Sequence, residues 1–180
     1  AVTQVSKQGF VYTFDRVTGE PVWPIEERPV PQETNMPGEV PAATQPFPTR
    51  PAPFDYQGVT IDDLVDFTPE IRQMAIEAIE GFTLGPLFQP PTRPVEGETR
   101  GTIMRPPPGG TAGWAGGAVD PDTGMLYIPS RNQVSVIGLY APDAASGSTM
   151  AYTHGAPEAR RMEQLRQGIR TGPQMPQGLP

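Results

Sequence analysis

At 180 residues the chain has the length of one ordinary domain, but 25 Pro and 20 Gly, a quarter of the whole, belong to the range where low-complexity segments form. Only 36% of residues are hydrophobic, so the core is small for the length, and local structure is expected to depend on neighbouring parts of a larger protein. A net charge of −7 leaves no basic stripe to neutralise phosphates and excludes nucleic acid as a partner. The absence of cysteine excludes disulfides, thiolate metal sites and Cys nucleophiles, and no run approaches the ~20 apolar residues of a membrane-spanning helix.

The chain starts inside a strand-like run, Ala1-Val2-Thr3-Gln4-Val5, and reads as cut from something longer. Residues 1–23 predict a β-hairpin unit, because Val2, Thr3, Val5 and then Phe10 to Phe14 are β-branched or aromatic. Asp15-Arg16-Val17-Thr18-Gly19 supplies a turn, with an Asp side chain to accept the following amides and a Gly for positive φ, and Glu20 to Trp23 starts a return strand.

Residues 24–110 read as a Pro-rich insertion. Pro29, Pro31, Pro37, Pro41, Pro46, Pro48, Pro51 and Pro53 remove ladder donors and favour extended, irregular backbone. A helical segment is expected at about 60–80. Thr60 and Thr68 serve as caps, Pro69 takes the first helical position, Ile71, Met74, Ala75, Ala78 and Ile79 fall at helical spacing, and Gly81 ends the run. The chain is Pro/Gly-rich again from Gly85 to Gly110.

Strands are expected to return over 111–140. Asp120-Pro121-Asp122-Thr123-Gly124 repeats the first turn 105 residues later, between Gly116–Val119 and Met125–Ile128, and Val134–Leu139 is a further strand. Two copies of Asp-x-x-Thr-Gly between β-type runs suggest a repeat protein, and propeller blades of ~40–50 residues leave room for about two blades or one blade plus the insertion. Residues 141–180 complete the chain as a loop, a short helix over Pro157 to Gln167 and a linker. The fold class is therefore mostly β: a partial β-propeller of about two hairpins or blades, with a long insertion carrying short helices.

Few residues offer chemistry. Lys7 is the lone lysine among thirteen basic residues and lies between two strand-like runs; a solvated surface cation is the plain reading, a cation pointed at a carbonyl oxygen the functional one. Trp23 reads as packing. Trp114 lies in a Gly-rich run, Gly109 to Gly117, that admits either the close approach of a flat ligand or a tight corner. His154 stands alone and makes no metal site within the chain, and Asp62, Asp63 and Asp66 lie at a helix start where acids favour the dipole. Neither a Ser-His-Asp arrangement nor a phosphate-binding Gly loop is present.

The run Val5-Ser6-Lys7-Gln8-Gly9-Phe10-Val11-Tyr12-Thr13-Phe14-Asp15-Arg16-Val17-Thr18-Gly19-Glu20-Pro21-Val22-Trp23-Pro24 resembles the pyrroloquinoline-quinone (PQQ) dependent dehydrogenases, in their glucose dehydrogenase-like branch. The likeness continues in family order through Glu26–Pro31, Thr44–Pro48, Asp63–Glu70, Gly85–Phe88 and Trp114–Tyr127, and fades after about residue 140. The resemblance implies an eight-bladed propeller with PQQ on its axis beside a calcium ion. A sugar or alcohol substrate is oxidised by hydride transfer to the quinone, and electrons pass to a respiratory acceptor, ubiquinone or cytochrome c. It implies a periplasmic location, with membrane association through parts outside this chain.

On that resemblance Lys7 matches the cation that contacts the quinone oxygens, Asn132 the PQQ-contacting Asn, and Trp114 a residue lining the same region. The catalytic Asp is expected upstream of Ala1, and the calcium ligands and the Trp beneath the PQQ ring have no counterpart in this sequence. The chain is thus expected to be an internal fragment, inactive alone. The alternative is a non-catalytic propeller used as a scaffold or binding module, which has no reason to keep a lone cation in that motif. A third possibility is a secreted, largely disordered Pro-rich protein.

Overall fold

Strand β1 (Val2–Val5) and strand β2 (Val11–Phe14) pair antiparallel, in the register Val2 to Phe14 and Val5 to Val11. They open a structure, a computed structural model, that describes residues 1–113, 116–142 and 148–154. Trp114 and the short helix expected over Pro157 to Gln167 lie outside the described residues. Beyond β2 come β3 (Ile25–Pro29), β4 (Thr44–Pro48), a 3-10 turn at Ile61–Asp63, helix α1 (Pro69–Ile79), β5 (Phe82–Thr83) and β6 (Gly101–Met104). The short strands β7 (Ala118–Val119), β8 (Leu126–Tyr127), β9 (Ser135–Ile137), β10 (Leu139–Tyr140) and β11 (Thr153–His154) follow. The described strands form five small sheets: β1-β2, β3-β4, β5-β6-β9, β7-β8 and β10-β11. The fold is mostly β, as expected, and no sheet closes on itself among the described residues.

The two Asp-x-x-Thr-Gly turns have one architecture. In the first, the Val17 and Thr18 amides donate to Asp15 Oδ1 at 2.8 and 2.9 Å, and Gly19 N–H donates to the Asp15 carbonyl at 2.9 Å. In the second, Asp122 N–H and Thr123 Oγ1 donate to the Asp120 carboxylate at 2.9 and 2.7 Å, and Gly124 N–H to the Asp120 carbonyl at 2.8 Å. Each Asp amide then donates to the carbonyl five residues on, at 2.7 Å (Glu20) and 2.9 Å (Met125). Gly19 and Gly124 take φ of +78° and +70°, where a side chain is strained. Amide bonds to Thr18 and Val17 hold the Asp15 carboxyl below its usual range, and the Thr123 hydroxyl does the same for Asp120. The second turn joins β7 to β8. The expected return strand after the first turn shrinks to a bridge between Phe14 and Pro21 and one bond from Val22 N–H to the Thr13 carbonyl, and Pro24 carries no donor to continue it.

The Pro-rich stretch departs from the irregular backbone expected of it, because β3 and β4 form an antiparallel pair. Parity explains why. Bonds from Thr49 N–H to the Pro24 carbonyl (3.0 Å) and from Val30 N–H to the Ala43 carbonyl (3.2 Å) fix the hydrogen-bonded pairs of this ladder. Pro29, Pro46 and Pro48, opposite Thr44, Glu27 and Ile25, therefore occupy the alternate positions where no N–H is asked to bond across. Phe47 packs edge-on against Phe10 of the first hairpin at 5.3 Å between ring centroids and against Phe88 at 5.7 Å.

The helical segment is realised as expected from its caps. Thr68 Oγ1 accepts from Ile71 N–H at 3.2 Å, Pro69 begins α1, and Gly81 ends it at φ +80°. The buried face differs from the one expected. Ala75 and Ile79 are buried, whereas Ile71 and Met74 face solvent. The buried stripe instead meets Val59, Leu64, Ile103 and Val134 to make the core, with Ile76 and Phe82 at its edge. The β5-β6-β9 sheet supplies Ile103 at 1% exposure, so α1 and the sheet share this one small core.

Candidate functional site

Several chain segments converge on the turn that links β1 to β2. Ser6 N–H donates to the Phe10 carbonyl at 2.9 Å, Gly9 N–H to the Ser6 carbonyl at 3.2 Å, and Phe10 N–H to Ser6 Oγ at 3.2 Å. Gly9 takes φ +86°, and Phe10, 2% exposed, anchors the turn in the aromatic cluster. Lys7 thus stands at the tip of a closed turn.

Two separate segments, 54–57 and 110–111, hold the outward carbonyls of that turn. The Lys7 carbonyl accepts from Thr111 N–H at 3.0 Å, the Gln8 carbonyl from Gln57 Nε2 at 2.7 Å, and the Gly9 carbonyl from Phe54 N–H at 2.9 Å. Gly110, at φ +84°, lies against the Lys7 stem so closely that a Cβ there would fall 2.5 Å from Lys7 Cβ and 2.7 Å from its Cα. The lysine main chain is therefore fixed, while its side chain is exposed and its ammonium has no hydrogen bond or ion pair among the described residues.

Thr111 carries the connection further. Its carbonyl accepts from Arg131 N–H at 2.9 Å, and its hydroxyl donates to the Asp55 carboxylate. The main chains of Lys7 and Arg131 thus flank one residue, and Asn132, exposed, follows directly. The segment 54–57 is braced in turn by Arg105, whose carbonyl accepts from Gly58 N–H at 2.7 Å and whose Nε donates to the Gly58 carbonyl at 2.8 Å. The Arg105 guanidinium lies 5.0 Å from the Tyr56 ring centroid and pairs with Asp63. Burial pushes the Asp63 carboxyl up, but the Thr60 amide and hydroxyl and the Arg105 guanidinium outweigh it and hold the group below its usual range. Asp63, read from sequence as one of three helix-start acids, closes a cap on Thr60 and neutralises a buried arginine.

Of the residues singled out from sequence, Lys7 is linked through Thr111 to Arg131, the neighbour of Asn132, and Trp114 lies outside the described residues. Phe54, Asp55, Gln57 and Thr111 were not singled out. The Gly-rich run containing Gly110 was the available signal for a close approach, and the chain segment that approaches is the lysine turn.

A sizeable concavity lies elsewhere. It encloses about 880 Å³ between the end of α1 and the 94–100 loop and shares no residue with the lysine turn. Glu77, Glu80, Glu96 and Glu98 line it, with Arg100 already bound to the Ala78 and Glu80 carbonyls at 3.2 Å each. That wall repels an anion such as a tricarboxylate quinone. The Lys7 turn offers the opposite charge, and its donors, an ammonium with an Asn amide on the adjoining segment, suit quinone oxygens and carboxylates. Among the described residues no group of three or more His, Asp or Glu side chains forms a metal centre, and no helix is long and apolar enough to cross a membrane.

The family model for the β-propeller domain of PQQ-type glucose/ethanol/alcohol dehydrogenases matches residues 1–180, including the stretch past residue 140 where the sequence likeness faded. The chain belongs to that family. A glycerol dehydrogenase large subunit from Gluconobacter thailandicus is similar at 40% identity over 47 residues, 26% of this chain. That match spans only 6% of the relative's length. No solved structure matches the chain.

Proposed function

We propose that this chain forms part of the cofactor wall of a PQQ-dependent dehydrogenase that oxidises a sugar or an alcohol. The observation that carries the reading is the fixed yet unpartnered Lys7: a turn tied at three carbonyls presents an ammonium that nothing among the described residues neutralises. When bound, PQQ supplies a two-electron acceptor for a hydroxyl-bearing substrate. Lys7 would hold its negative oxygens and stabilise the charge that grows there, and Asn132 would donate an amide hydrogen bond from the neighbouring segment. Trp114 belongs to the same proposed lining. The glycerol dehydrogenase relative supports small polyols within the substrate class.

The remaining parts follow the same reading. The general-base Asp and the calcium ligands lie in the rest of the protein, the electrons pass to ubiquinone or cytochrome c, and the location is periplasmic. A scaffold propeller would leave the solvated lysine free to be any polar residue and would not need to fix its backbone.

The test is Lys7→Ala in the full-length protein, with PQQ titration, turnover and thermal denaturation measured together. A charge-assisted contact of ~1.5–3 kcal/mol predicts roughly tenfold to hundredfold weaker PQQ binding or turnover, at an unchanged melting temperature. Wild-type binding and turnover in the variant would refute the role.

A further inference from the structure

The lysine at the tip of the turn has a long flexible stem, and a cation fixed only at its own backbone would still be displaced if that backbone moved. Gln57 and Phe54 hold the Gln8 and Gly9 carbonyls, and the residue that holds the carbonyl of Lys7 itself is Thr111. Thr111 is 5% exposed, and all three of its polar groups are used across the site. Its N–H holds the Lys7 carbonyl, its carbonyl takes the Arg131 amide, and its hydroxyl is donated to Asp55, which also accepts its own neighbour's amide, from Tyr56, at 2.8 Å. The hydroxyl oxygen also lies 3.2 Å from the Arg131 carbonyl, but it has one hydrogen, and the carboxylate is the nearer and stronger acceptor. Gly110 beside it leaves no room for a Cβ, so the 110–111 segment packs directly on the lysine stem.

Resting on the reading of Lys7 given above, we infer that Thr111 is a positioning residue for the quinone site. Its hydroxyl locks the 110–111 segment to Asp55, and that locked segment sets where Lys7 stands relative to Asn132. Thr111 touches no cofactor itself. It acts through Lys7, and this separates it from a residue that merely holds the fold.

The experiment is a double-mutant cycle in the full-length protein, read by PQQ dissociation constant from absorbance titration of the apo form. Thr111→Val, Thr111→Ser and Lys7→Ala are made singly, and Thr111→Val is combined with Lys7→Ala. Thr111→Val is expected to weaken PQQ binding about tenfold when Lys7 is present and less than about twofold in the Lys7→Ala background, because the lock then has nothing to aim. Thr111→Ser, which keeps the hydroxyl, stays within about twofold of wild type. Equal weakening by Thr111→Val in both backgrounds would make Thr111 a fold residue and overturn the inference, as would wild-type affinity in Thr111→Val while Lys7→Ala binds weakly. Wild-type affinity in Lys7→Ala overturns the reading of the lysine itself, and the inference with it. If Thr111→Val does not fold, Asp55→Ala removes the same bond from the more exposed side and carries the same expectations.

Discussion

Replacing Asp63 by Asn tests how the brace behind the lysine turn is held. The carboxylate accepts from Thr60 N–H at 2.7 Å and Thr60 Oγ1 at 3.0 Å and neutralises Arg105, whose side chain is only 7% exposed. Asn keeps an acceptor for Thr60 and removes the charge, so the buried guanidinium loses its counter-ion. Breaking a fully buried pair costs ~3–5 kcal/mol, but the Asp63 side chain is 22% exposed, and solvent screens it; about 2 kcal/mol is the appropriate expectation. For a cooperative unit of this size that lowers the melting temperature by roughly 4–8 °C. The pH dependence gives the sharper test. The folded carboxyl titrates below its ordinary value of 3.8, so the unfolded chain takes up this proton first as pH falls. Its stabilisation is therefore complete above the ordinary value and is lost as pH drops through the folded one. Denaturant midpoints of wild type and Asp63→Asn at about pH 7, 5 and 3.5 should differ most at the two higher values and converge towards the lowest and below. A gap of equal size at all three pH values would show that the charge is not what Asp63 contributes. No gap at neutral pH would show that Arg105 needs no partner.

Two further expectations concern the fold around the site. Ile103→Ala empties a position of the small core that is 1% exposed and packed with Val59, Leu64 and Ile79, and should cost ~2–5 kcal/mol, measured as a shift in denaturant midpoint; a loss under about 1 kcal/mol would mean the helix and sheet do not share a core. Asp15→Ala and Gly19→Ala should lower melting temperature while leaving PQQ affinity unchanged, since Asp15 and Gly19 close a turn away from Lys7, and stable variants that fail to bind PQQ would contradict that assignment.

How much was legible depended on how local the cause was. Both Asp-x-x-Thr-Gly turns could be read because the groups that close them are near neighbours in the chain, and the caps of α1 were legible for the same reason. The buried face of α1 was not. Ile71 and Met74 fit the spacing as well as Ala75 and Ile79 do, and only the position of Val59 and Ile103 decides which stripe is covered. The β3-β4 hairpin was hidden by its prolines, whose count argues against a ladder while their parity permits one. Parity requires the register, and the register pairs residues far apart in the chain, Ile25 with Pro48 at one end and Pro29 with Thr44 at the other.

The site was hidden for a related reason. Lys7 was visible as a lone lysine in a recognisable run, but the groups that place it are carbonyls and amides, which nearly every residue possesses. Thr111, Gln57 and Phe54 reach those carbonyls from distant parts of the sequence, and no composition or spacing marks them. Fixing backbone costs ~1–2 kcal/mol per residue, and here the bonds that satisfy the turn's carbonyls offset it. Here two segments immobilise the turn through three hydrogen bonds, Gly110 gives up a side chain to let it approach, and the ammonium at its tip still has no partner among the described residues. A rigid backbone behind an exposed, unneutralised cation is what binding an anionic group requires, because the ordering cost is met before the ligand arrives.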